Sequence, residues 1–158
     1  METRLEFNDR LLSLGLARVS EAAAIAATKF IGAGDEKAAD QAAVDAMRTQ
    51  LNMLDINGKV VIGEGERDEA PMLYVGEHAG SGNGPAVDIA LDPLEGTNLT
   101  AKDMPNALTV IAMGPKGSLL NAPDVYMEKL AYGSRYNKNF ISLEMSPTER
   151  IEKLAQVK

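Results

Sequence analysis

Hydrophobic and polar positions along the chain change period about a third of the way in. From Asp9 to Ile31, Leu12, Leu16, Val19, Ala23 and Ala26 recur at three- and four-residue spacing, which predicts a helix with one apolar face. Gly32 is its expected stop. Asp35 is placed to cap a second helix, with Ala39, Val44, Met47, Leu51 and Leu54 as its stripe and Asn57-Gly58 as the turn that ends it. The pattern then turns extended. Lys59-Val60-Val61-Ile62 is a short β-branched run that stops at glycine and reads as a buried strand. Leu73-Tyr74-Val75 and Ala86 to Leu91 read as further strands, the latter ending at Asp92-Pro93. Ala107 to Met113 reads as the central strand, and Ser118 to Leu120 as its hairpin return after the turn at 114–117. Near the end, Ser146-Pro147-Thr148-Glu149 is a helix start, with a serine cap, Pro at the first helical position and Glu at the third.

The pattern reads as helices followed by strands, and 158 residues suffice for one core. Hydrophobic residues make up 45% of the chain but aromatics only 4%, so that core is built from Ala, Val, Ile, Leu and Met. With 16 Lys+Arg against 23 Asp+Glu the net charge is -7, which argues against nucleic acid or an anionic membrane as partner. No cysteine is present and only one histidine, which excludes disulfides, thiolate zinc and a thiol nucleophile. The segment from Met1 to Asp9 is charged, unlike a signal peptide, and Ala22 to Ala27 is too short to span a bilayer, so a cytoplasmic protein is expected. Any chemistry falls to carboxylates, hydroxyls and backbone amides.

Three acidic clusters supply candidates: Gly32 to Asp40, Gly63 to Glu69 directly after a strand, and Asp88 to Thr97 at another strand's end. Acids at the carboxyl ends of strands suit a hard cation with oxygen ligands. Asp92 and Glu95, with Pro93 between them, are spaced to reach one cation or a close pair. Gly96 lets the backbone approach an oxyanion, and Thr97 offers a hydroxyl to orient a water. Cation, anion cradle and water are the parts of metal-assisted phosphoester hydrolysis. The plainer alternative is that an acid-rich loop is solvated surface and Asp92-Pro93 an ordinary turn.

Asp92-Pro93-Leu94-Glu95-Gly96-Thr97 resembles the Asp-Pro-Ile/Leu-Asp-Gly-Thr signature of the lithium-sensitive, metal-dependent phosphomonoesterases, with Glu in place of the second Asp, as in class II fructose-1,6-bisphosphatases. Gly32 to Asp40, Val61 to Tyr74 and Asn121 to Leu130 resemble three more motifs of that family, in order. The resemblance implies an α/β fold, the N-terminal part of a layered α-β-α-β-α sandwich with helices packed on a mixed β-sheet. It also implies hydrolysis of the 1-phosphate of fructose 1,6-bisphosphate to fructose 6-phosphate in gluconeogenesis, with sedoheptulose 1,7-bisphosphate as a second substrate in some relatives. It assigns Asp40, Glu64, Asp92 and Glu95 to divalent Mn or Mg. Thr97 matches the family's water- and phosphate-facing hydroxyl, Gly96 its substrate-binding glycine and Tyr126 a substrate contact, with Glu66 and Asp68 as further acids near the chemistry. A homo-oligomer, dimer or tetramer, is the family expectation. Some relatives carry Lys where this chain has Glu36, and that departure takes Lys37 out of the expected site. Family members run to roughly twice this length, so residues 1–158 are expected to be the metal-binding half alone. Two other readings stay open: a related phosphatase acting on inositol or nucleotide phosphates, and an inactive metal-binding or oligomerisation fragment.

Overall fold

The computed structural model describes residues 9–63, 73–120 and 125–157. The chain divides into two compact units, Met1–Ala122 and Pro123–Lys158. In the first, helices α1 (Asp9–Thr28) and α2 (Glu36–Leu51) pack on a four-stranded mixed sheet. The strands are β1 (Asn57–Ile62), β2 (His78–Ala79), β3 (Ala86–Glu95) and β4 (Leu108–Pro115), in the order β2-β1-β3-β4. A short helix, α3 (Thr97–Ala101), follows β3. The β1–β3 pair is parallel and the other two are antiparallel. This is the α/β class expected, with helices on a mixed sheet.

Alternation along β3 explains the layering. Val87, Ile89 and Leu91 are buried and join one core with Val19, Ala23 and Ala27 of α1 and Ala39, Ala43, Met47 and Leu51 of α2. Small residues on α1 and α2 let the two helices lie close to each other and to the sheet. Thr109 of β4 donates its hydroxyl to the Ser20 carbonyl of α1 at 3.0 Å, a polar tie beside that apolar seam. Among the described residues no helix is long and apolar enough to cross a membrane.

Several boundaries differ from the sequence pattern. The first helix ends at Thr28 rather than Ile31. The second ends at Leu51, and Asn57-Gly58 opens β1 instead of closing a helix. Gly58 serves close packing there: a Cβ would lie 2.6 Å from Ile89 Cδ1 and 2.8 Å from the Ala79 carbonyl. Leu73-Tyr74-Val75 forms no strand, because the Glu77 amide bonds the Tyr74 carbonyl at 3.0 Å and reverses the chain; the pairing segment is His78–Ala79. Ser118 to Leu120 does not return as a hairpin strand. The buried Asp88 carboxylate accepts the Gly117 and Leu119 amides at 2.7 and 3.4 Å and folds that segment onto β3. The run expected to be central, 107–113, lies in β4 at the end of the sheet among the described residues; Leu108 and Val110 are exposed there, and β3 is the buried strand.

In the second unit, α4 (Pro147–Ala155) starts as the sequence indicates. Ser146 Oγ accepts the Glu149 amide and the Glu149 carboxylate accepts the Ser146 amide, a complete capping box. Arg150 donates to the Ser142 and Leu143 carbonyls at 2.9 and 2.8 Å, and Tyr136 stacks on Phe140 with ring centroids 5.3 Å apart.

Candidate metal and phosphate site

Two sequence-distant segments, the start of α2 and the β3–α3 junction, meet at the end of β3. Asp35 caps α2 by accepting the Ala38 amide at 3.0 Å, which sets Glu36, Lys37 and Asp40 on the helix's first turns. The loop before that cap is bonded to α3: the Gly32 amide donates to the Thr100 carbonyl at 3.0 Å and the Gly34 amide to the Ala101 carbonyl at 2.9 Å. These bonds hold the start of α2 beside the β3–α3 junction. The result is a pocket of about 340 Å³ lined by Glu36, Lys37, Asp40, Asp92, Leu94, Glu95, Gly96 and Thr97.

The end of β3 shows how Asp92 and Glu95 come to act together. In a regular strand, residues three apart point to opposite faces. Here the β3–β4 register shifts: Asp92 faces Val110 and Glu95 faces Leu108, so three steps on β3 match two on β4. That bulge turns the second carboxylate to the side of the first. Asp92 Oδ1 also accepts the Leu94 amide at 3.0 Å and fixes the local turn. Gly96 then adopts φ +85°, a left-handed conformation, and starts α3 with Thr97 as its first residue.

Electrostatics follow from that placement. The neighbouring Asp92 carboxyl, by hydrogen bonding and by its charge, pushes the exposed Glu95 above the usual carboxylate range. Half-burial pushes Asp40 up by desolvation. The Glu95 shift marks paired negative charge that a cation would relieve, and the donors are hard oxygens, the type Mg and Mn take. Among the described residues no three acidic side chains are grouped closely enough to hold a metal alone. The close pair is Asp92–Glu95, with Asp40 lining the same pocket from α2.

Of the residues singled out by sequence, Asp40, Asp92, Glu95, Gly96 and Thr97 line this one pocket. Glu64, Glu66 and Asp68 lie outside the described residues. Tyr126 belongs to the second unit and is fully exposed. Lys37, set aside on the sequence pattern, lines the pocket with Glu36. Its signal was its spacing: three residues before Asp40 on a helix capped at Asp35, it shares that acid's face.

Comparison with known proteins bears on this arrangement. The family described as "Bacterial fructose-1,6-bisphosphatase, glpX-encoded" matches residues 10–158. Fructose-1,6-bisphosphatase 1 class 2 of Escherichia coli K12 is 59% identical over 124 residues, covering 78% of this chain and 37% of the relative. The class 2 enzyme of Haemophilus influenzae is 50% identical over 147 residues, 93% of this chain and 44% of the relative. D-fructose 1,6-bisphosphatase class 2/sedoheptulose 1,7-bisphosphatase of Prochlorococcus marinus MIT 9303 is 49% identical over 148 residues, 94% of this chain and 44% of the relative. The chain thus spans less than half the length of these curated relatives. With the match running through both units and through every lining residue of the pocket, the chain belongs to the glpX-encoded, class 2 family of bacterial fructose-1,6-bisphosphatases.

Proposed function

We propose that this chain is the metal-carrying part of a class 2 fructose-1,6-bisphosphatase, which removes the 1-phosphate of fructose 1,6-bisphosphate and leaves fructose 6-phosphate for gluconeogenesis. The observation that carries the reading is the pocket that gathers Asp40, Asp92, Glu95, Gly96 and Thr97 from α2, β3 and α3. The names of the relatives support a sugar bisphosphate over an inositol or nucleotide phosphate, and some include sedoheptulose 1,7-bisphosphate as a second substrate.

In this reading Asp40, Asp92 and Glu95, with Glu64, are the oxygen ligands for Mn or Mg. Such a cation, when bound, neutralises phosphate charge and lowers the pKa of a water. The Asp92–Glu95 pair supplies the concentrated negative charge that draws it. Thr97 offers a hydroxyl to hold the attacking water, with Glu66 and Asp68 as the acids available to take its proton. Gly96 leaves room for the backbone to approach a phosphate oxygen, Tyr126 meets the sugar, and Lys37 gives the wall a positive charge for the same anion. The whole enzyme works in the cytoplasm as a homo-oligomer.

Phosphate release by the whole enzyme, with and without Mn²⁺, tests this directly. Asp92→Ala should abolish metal-dependent turnover and weaken Mn²⁺ binding. Normal metal-dependent activity in that variant would overturn the assignment.

A further inference from the structure

Two Asn-Gly pairs occur in the chain, Asn57-Gly58 and Asn83-Gly84. Such a pair is chemically labile, because glycine has no side chain to shield its own amide nitrogen from the asparagine side-chain carbonyl. The fold treats the two pairs differently. Asn57 and Gly58 open β1. Gly58 is buried and pairs with Ala79 of β2 on one side and Val87 of β3 on the other, and the Asn57 amide donates to the Pro85 carbonyl at 2.9 Å. Backbone held in a ladder on both edges opens only with the sheet, so its nitrogen does not turn onto a side chain in the native state.

Asn83 and Gly84 lie in the loop between β2 and β3, and both are exposed. Gly84 has φ +82°, and among the described residues no acceptor holds its amide. The loop is nevertheless pinned on either side of the pair. The Gly82 amide donates to the Ile56 carbonyl at 3.0 Å, and the Pro85 carbonyl takes the Asn57 amide. A Cβ on Gly84 would lie 1.9 Å from the Asp55 carbonyl oxygen, so the two backbones touch without slack.

We propose that Asn83 is a site of spontaneous deamidation and that its isoaspartyl product loosens the entry to β1. The Gly84 nitrogen loses its proton to base and attacks the Asn83 side-chain carbonyl carbon. The bond to the side-chain nitrogen breaks, ammonia leaves and a succinimide closes. Water then opens the ring. Attack at the former side-chain carbonyl gives aspartate. Attack at the main-chain carbonyl gives isoaspartate, whose backbone runs through the β-carbon and is longer by a methylene. Either product adds a negative charge. Only isoaspartate inserts length between Gly82 and Pro85, whose bonds to Ile56 and Asn57 leave no room to absorb it.

The test incubates this chain in mildly alkaline buffer, with a parallel sample in urea, and maps its peptides by mass spectrometry with isoaspartate resolved. In the folded chain Asn83 should convert faster than Asn57, and urea should remove the difference. Conversion at Asn83 no faster than at Asn57 in the folded chain, or a difference that survives undiminished in urea, would overturn the proposal. The second readout is amide exchange at Asn57. It should be faster in the purified isoaspartyl chain than in Asn83→Asp, which carries the added charge without the added methylene. Equal protection of Asn57 in the two would overturn the loosening of β1.

Discussion

At the residue scale, the informative group is Glu95. An exposed glutamate has no desolvation of consequence, so its raised pKa reports the Asp92 carboxyl beside it. Asp92→Asn should therefore bring the Glu95 midpoint back toward the ordinary carboxylate value, measured by NMR titration of the metal-free chain. The sign of the stability effect follows. Glu95 and Asp40 both take up a proton more readily folded than unfolded. Their contribution is full below the ordinary carboxylate range and is lost as pH rises through their raised values. The approach of Asp92 and Glu95 was legible in their spacing; the half-burial that raises Asp40 was not. The motif placed Asp92 and Glu95 near each other in sequence with Pro93 between them, and the β-bulge at that proline is what turns them to one side.

At the scale of elements, the capped ends were the most legible features and the glycines the least. Asp35 and Ser146 act as the caps their sequence context indicates, because a cap is a local hydrogen bond. Ser146→Ala should cost about 1 kcal/mol of helix stability, read from the chemical shifts of residues 147–155. Glu149 reaches back to the Ser146 amide, which holds its carboxyl below the usual range. Its support for α4 is present above the ordinary carboxylate pKa and disappears as pH falls through the lowered value, so helicity of 147–155 should drop in acid. Gly58, by contrast, looked like a turn signal and is a packing requirement set by a strand far along the chain. The 117–119 segment was misread for a similar reason: its partner is the Asp88 side chain, and no hairpin pattern encodes that. Asp88→Ala leaves the Gly117 and Leu119 amides without their acceptor and should cost about 1–3 kcal/mol, measured by urea unfolding.

For the whole molecule, the acidic, oxygen-donor character of the site was legible from composition, and the α/β class from the family resemblance that the motifs carry. The limits of that legibility lay in long-range pairing. The run expected to be central sits at the end of the sheet among the described residues, and the most buried strand, β3, contains the polar Asp88 and Asp92. A protein that binds a cation only when folded is stabilised by it in proportion to occupancy, by about 2.7 kcal/mol at a hundred times the dissociation constant. Mn²⁺ should accordingly raise the melting temperature of this chain at neutral pH. The gain should fade as the solution is acidified, and earlier than for ordinary carboxylates, because the raised Asp40 and Glu95 hold their protons longer.

The parallel pairing of β1 with β3, in which Val60 lies opposite Ile89 with β2 inserted on the far side of β1, also has a kinetic meaning. No short turn can nucleate such a ladder; its loop must close before any of its bonds form. The pocket at the end of β3, which joins α2 to a strand held in that ladder, should therefore assemble late when the chain refolds from denaturant. Interactions made after the rate-limiting barrier act on the reverse reaction. A cation held there should leave the refolding rate almost untouched and act as a brake on unfolding, extending the lifetime of the native chain.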